Sequence, residues 1–167
     1  MSTHLYLDID GVLNACSNRF VPKDLRAWPE YVAVNKYEIV APAMVERLNE
    51  VIVKHGIIGH WLTTWEREAP EFGGQIGLTG SEGWEWLPTH YRDGFSDRWG
   101  KFQSIQEHTS MTQPVSAVWI DDDLVTEPTA RAWAKANGVI ALAPTAGNGI
   151  TPQMLDLIDA KLSGVAL

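Results

Sequence analysis

His4-Leu5-Tyr6-Leu7-Asp8-Ile9-Asp10-Gly11-Val12-Leu13-Asn14 is the stretch on which the reading of this chain turns. His4 to Leu7 is a short apolar run that ends abruptly at Asp8, the pattern of a buried strand rather than an alternating, half-solvated one. Asp10-Gly11 is a common turn pair, so the stretch alone is compatible with a simple turn. A second apolar run, Val115 to Ile120, meets Asp121-Asp122-Asp123 in the same way, and a third, Ile57 to Leu62, ends at Thr63-Thr64. Three apolar runs that each stop at polar residues do not suit plain turns.

Between these runs the spacing predicts helices. Residues 42–55 place Met44, Val45, Leu48, Val51 and Ile52 on one face, with Pro42 in the first turn and Gly56 as the stop. Lys101 to His108 fits a helix. Another is expected over about 127–137, with Thr126 as N-cap and Gly138 beyond its end. Val139 to Ala143 reads as a last strand. Thr151-Pro152 opens a final helix to about Leu162, with Met154, Leu155, Ile158 and Leu162 inward. Tyr31 to Val34 and Tyr37 to Val40 flank Asn35-Lys36 as a small hairpin. Residues 66–98 hold six glycines and should be mostly loop, with one short helix near 66–72. Strands alternating with helices imply parallel pairing, hence an α/β, three-layer, Rossmann-like fold with a mostly parallel central sheet.

In such sheets ligands bind beyond the C-terminal strand ends. Parallel strands bring Asp8 and Asp10, Thr63 and Thr64, and Asp121 to Asp123 onto one edge. Up to five carboxylates would repel one another unless a cation sat among them, and Mg²⁺ is the usual hard oxygen-liganded partner of phosphate chemistry. A carboxylate, a hydroxyl, a lysine and Mg²⁺ together suit phosphoryl transfer. Asp8 is placed to attack phosphorus and Asp10 to protonate the leaving oxygen and then activate water. Thr63 and a lysine would hold the equatorial oxygens.

Composition bounds these readings. The chain has 167 residues, 45% of them apolar and 20% charged, which suits one domain of ordinary size with a real core. A formal net charge of −8 argues against an extended nucleic-acid surface, though not against a short nucleic-acid end or a nucleotide. Cys16 is the one cysteine, so no intrachain disulfide forms. Met1-Ser-Thr-His lacks the shape of a signal peptide, and no apolar run approaches the ~20 residues of a membrane span. A cytoplasmic location is the expectation.

The four polar positions fall in the order and context of known motifs, and the chain resembles the haloacid dehalogenase superfamily. Asp8-Ile9-Asp10-Gly11-Val12, continued by Leu13-Asn14, matches its first motif, and Thr63 in Trp61-Leu-Thr-Thr-Trp65 the second. Lys101 in Trp99-Gly-Lys-Phe matches the third, and Asp121-Asp122 in Val118-Trp-Ile-Asp-Asp-Asp123 the fourth. The resemblance covers about residues 4–160. It implies that Asp8 is the nucleophile and Asp10 the acid and base. It also implies that Asp8, the backbone carbonyl of Asp10, Asp121 and a nearby Asp122 hold Mg²⁺, and that Thr63 and Lys101 bind phosphate.

Cap domains in this superfamily lie between the first and second motifs or between the second and third. Here those intervals are about 50 and about 37 residues, so a single domain with a small flap at about 15–40 is expected. Open sites of this kind tend to act on large substrates, and the Trp-x-Thr-x-Trp and Trp-Ile-Asp-Asp-Asp strings resemble a bacterial and phage subgroup linked to RNA repair. The implied activity is a Mg²⁺-dependent phosphomonoester hydrolase. A phosphotransferase, a polynucleotide-end phosphatase and a catalytically silent binding module of the same fold are the alternatives.

Other polar residues have plainer readings. Either Thr63 or Thr64 can face phosphate, with Thr63 favoured as the later end of the strand run. Asp123 has the plainer reading of a cap for the helix that follows it. Arg67, Arg92 and Arg98 are the alternatives to Lys101, as substitutes for it or as auxiliary phosphate ligands. His60 reads as a satisfied core histidine, His90 and His108 lack a paired ligand spacing, and no zinc site is expected. Cys16 reads as a packed or flap residue, and Trp84 and Trp86 as packing or as a surface on which a base could stack.

Overall fold

The five-residue strand β1 (Thr3–Leu7) lies at the centre of the sheet. The computed structural model describes residues 2–89 and 99–165. The expectations attached to His90, Arg92 and Arg98 fall outside them. β1 pairs in parallel with β4 (Ile57–Trp61) on one side and β6 (Ser116–Ile120) on the other. A two-residue strand β5 (Glu85–Trp86) extends the sheet beyond β4, and β7 (Val139–Leu142) extends it beyond β6. The order is β5-β4-β1-β6-β7, all parallel. The chain winds outward from β1 through β4 to β5, then crosses back to β6. That reversal places the ligand crevice of the sheet between the C-terminal ends of β1 and β6.

Alternation along the strands builds the three layers. Leu5, Leu7, Val118 and Ile120 face α1 (Pro42–His55) and α5 (Pro152–Leu162) in one buried cluster. Tyr6, Ala117 and Trp119 face α3 (Gly100–Thr112) and α4 (Pro128–Ala136) in the other. α1 buries Met44, Val45, Leu48, Val51 and Ile52, each worth about 2 kcal/mol of apolar transfer. It begins at Pro42 and ends on Gly56 at φ +57°, where a left-handed residue closes the last turn. Thr151 caps α5 by accepting from the Met154 amide.

Two local expectations differ. Thr126 is not the cap of α4: its hydroxyl donates to the Asp123 carbonyl, Glu127 occupies the cap position, and Pro128 opens the helix. Residues 66–89 are more ordered than their glycines suggest. They hold a 3₁₀ turn (Glu66–Glu68), α2 (Ala69–Gln75) and the short β5. Gly59 and Gly73 allow this close packing, because a Cβ on Gly59 would collide with the Trp84 ring and one on Gly73 with Ser81.

Residues 15–40 form two 3₁₀ turns and a hairpin of β2 (Val32–Ala33) and β3 (Ile39–Val40). This segment is stitched to the loop before α5. The Trp28 indole donates to the Ile150 carbonyl at 2.7 Å, Tyr31 Oη donates to the Asn148 carbonyl at 3.0 Å, and Asn18 Nδ2 donates to the Gly147 carbonyl at 2.8 Å. The Ala27 amide donates to Asn148 Oδ1 at 3.0 Å.

Candidate active site

The backbone turns sharply as it leaves β1. The amides of Val12, Leu13 and Asn14 all donate to the Ile9 carbonyl, and Gly11 sits at φ +73°. Only glycine takes that conformation at little cost, and a Cβ there would collide with the Asp122 carboxylate. The turn thus brings the first acidic strand end against the second.

Asp8 and Asp121 occupy matching places at the ends of β1 and β6. The Asp8 amide donates to the Ile120 carbonyl and the Asp121 amide to the Leu142 carbonyl, so each continues the ladder by one step. Both side chains are buried, Asp121 completely. Lys101, in the first turn of α3 and 4% exposed, bridges them: Nζ donates to Asp8 Oδ2 at 2.7 Å and to Asp121 Oδ2 at 2.9 Å. Asp8 Oδ1 accepts from the Ile9 amide at 2.8 Å, and the nearby Thr63 side chain helps to hold its carboxyl down. Thr63 is buried and Thr64 exposed, so of the two hydroxyls it is Thr63 that meets Asp8.

The electrostatics follow from burial. Burial pushes the Asp8 carboxyl up, opposed by the Lys101 ammonium. Burial and then repulsion from Asp8 push Asp121 up to about 8, and burial with repulsion from Asp123 and Asp8 takes Asp122 to about 6. Burial works against the Lys101 charge, but Asp8 and Asp121 together outweigh it and hold the ammonium above its ordinary value. Asp8, Asp121 and Asp122 offer oxygens within 4.8 Å of one another. With all three ionised, three carboxylates against one ammonium would leave two negative charges uncompensated, the charge of one divalent cation. The donor set is all oxygen, which suits Mg²⁺.

The Asp10 carboxylate stands outside that group. Asn14 Nδ2 donates to its Oδ1 at 2.8 Å and the Trp65 indole to its Oδ2 at 2.8 Å. Asn14 is fixed in turn, its Oδ1 accepting from the Ile39 amide at 2.9 Å. Cys16 is exposed, with Sγ only 3.5 Å from Asp10 Oδ1.

Asp123 is exposed and caps nothing; Asp121 Oδ1 accepts from the Asp123 amide at 3.1 Å and caps the turn itself. Arg67 is exposed in the 3₁₀ turn after Thr63. Trp84 packs against Trp61 with ring centroids 5.1 Å apart, and Trp86 is exposed on the edge strand. Sequence reasoning did not assign Trp65 or Asn14 a role. Both lie inside the quoted motif strings, and that adjacency was the available signal.

A parallel α/β sheet whose switch point carries this acidic pair, bridged by a lysine from the helix that leads into β6, belongs to the haloacid dehalogenase class. The profile of HAD domains in Swiss Army Knife RNA repair proteins matches residues 4–149, and the chain is a member of that family. No curated protein and no solved structure matches it. Among the described residues no helix is long and apolar enough to cross a membrane.

Proposed function

We propose that this protein is a Mg²⁺-dependent phosphomonoesterase that works through an aspartyl-phosphate and acts on the phosphorylated ends of nucleic acid. The observation that carries the reading is the Asp8–Lys101–Asp121 bridge at the sheet's switch point, with Asp10 fixed separately two residues on. An Asp8 oxygen attacks phosphorus and the bond to the leaving oxygen breaks. Asp10 delivers a proton to that oxygen, then takes one from the water that attacks the phosphoryl group and frees Asp8. Lys101 and the Thr63 hydroxyl stabilise the equatorial oxygens as charge moves onto them. Asp8, Asp121, Asp122 and the Asp10 carbonyl would hold Mg²⁺, which when bound neutralises charge between nucleophile and phosphate.

The family description supports RNA ends as the substrate class. The net charge of −8 supports recognition of an end rather than of a long backbone. The test is phosphate release, with Mg²⁺, from 3′- and 5′-phosphorylated oligonucleotides beside nucleotides, sugar phosphates and phosphopeptides. Release from an oligonucleotide end is expected, falling at least ~10³-fold in Asp8→Asn with the circular dichroism spectrum unchanged. Full turnover by Asp8→Asn would overturn the mechanism, and a protein inert on every substrate would make it a binding module.

A further inference from the structure

Three buried histidines meet on the α3 face of the sheet. His4 comes from β1, His60 from β4 and His108 from α3, each under 10% exposed. One ring nitrogen of each lies within 4.8 Å of the others. His4 Nδ1 and His60 Nε2 are 3.1 Å apart. Two nitrogens on one tetrahedral ion with bonds of ~2.0–2.1 Å stand ~3.3 Å apart, so the spacing suits ligands of a shared metal.

The surroundings have the form of an outer shell. Ser2 Oγ lies 2.9 Å from His4 Nε2 and Tyr6 Oη 2.8 Å from His108 Nδ1, so the far nitrogens of these two rings are already oriented. Metal-bound histidines are fixed in this way. Glu85 on β5 brings Oε2 to 3.6 Å from His108 Nε2 and 3.8 Å from His60 Nδ1, a carboxylate at the edge of the cluster. A cleft of about 100 Å³ lined by Glu85, Ser104, Glu107 and His108 leads in from the surface.

The hydrogen bonds of the cluster leave one ring nitrogen over: His60 Nδ1, on the side of the ring away from the His4 contact and 3.8 Å from Glu85 Oε2, is buried with no hydrogen-bond partner among the described residues. The three imidazoles pack at centroid distances of 4.4 to 5.7 Å.

We propose that His4, His60 and His108, with Glu85 as fourth ligand, form a second metal site for a borderline divalent transition ion such as Zn²⁺. Imidazoles with one carboxylate select that class over Mg²⁺. The site is separate from the acidic one, since four residues of extended strand, ~13 Å, divide His4 from Asp8. A closed four-ligand shell makes it structural. The ion would pin β5 and α3 to the centre of the sheet, and α3 carries Lys101 at its other end.

The test is titration of the chelator-stripped full chain with ZnCl₂ in excess Mg²⁺. One equivalent should bind and raise Tm. Asp121→Asn should keep that equivalent, while His60→Gln and His108→Gln should lose it. Tyr6→Phe should weaken it ~10–100-fold, the usual effect of removing an outer-shell partner. Should the histidine variants not fold, Co²⁺ in the unaltered chain decides: tetrahedral d–d bands without thiolate charge transfer are expected. No Zn²⁺ uptake, uptake that persists in both histidine variants, loss of uptake in Asp121→Asn, or an octahedral Co²⁺ spectrum would each overturn the site.

Discussion

The Trp65 indole N–H points at Asp10 Oδ2 from 2.8 Å, joining the end of the second motif to the proposed proton carrier of the first. A hydrogen bond to a charged group is worth ~1.5–3 kcal/mol. Its loss in Trp65→Phe keeps most of the ring's packing against Phe72 but frees one side of the carboxylate. kcat for the best phosphate ester is expected to fall ~10–100-fold with KM nearly unchanged. Asn14→Ala should act the same way, and the double variant should lose less than the product of the two. Steady-state kinetics on the four proteins checks this; an unaltered kcat in Trp65→Phe would remove the indole from the mechanism.

Lys101 is the only cation within ion-pair distance of Asp8 and Asp121 among the described residues. Lys101→Met leaves two buried carboxylates without it. Breaking such a buried pair costs ~3–5 kcal/mol. The urea midpoint of the Mg²⁺-free variant should drop accordingly, and millimolar Mg²⁺ should restore more stability to the variant than to the parent. Equal Mg²⁺ effects on both proteins would contradict a shared site.

Asp121 sets a pH dependence of known sign. Its carboxyl titrates near 8 in the folded chain against 3.8 unfolded. Its contribution is complete below pH 3.8 and is lost as pH rises through 8, because the unfolded chain gives up the proton first. His60, lowered to about 3 from 6.5, acts oppositely, its contribution disappearing as pH falls below 6.5. The window between pH 6.5 and 8 therefore separates the buried Asp8–Asp121 pair from His60. In chelator, stability should decline there by up to ~1.4 kcal/mol per pH unit, and Asp121→Asn should flatten the slope. Urea denaturation at three pH values reads it out, and a slope that persists in Asp121→Asn would assign the proton elsewhere.

Much of this was legible along the chain because it is written in local patterns. Pro42, the apolar spacing of 44–52 and Gly56 mark α1 to the residue, since each acts within one or two turns. The site's acidic ends were legible because apolar strands stop abruptly at Asp8 and Asp121. What escaped depends on contacts between distant segments. β5 is two residues long and exists through its pairing with β4. Thr126 looked like a cap, yet the turn at Asp122–Val125 took its hydroxyl. His60 read as a satisfied core residue, but its Nδ1 has no hydrogen-bond partner among the described residues and lies beside two histidines 56 and 48 residues away. Ligand spacing reads one element at a time, and these three lie on three elements.

The stitching of residues 18–31 to residues 147–150 has a kinetic consequence. Those hydrogen bonds close loops of more than 110 residues. Long-range closure costs entropy before any contact repays it. During synthesis residues 18–31 emerge early, yet their partners leave the ribosome after all five strands of the sheet. This segment is thus expected to set late, after the sheet has formed, and to be the part whose amides gain exchange protection last.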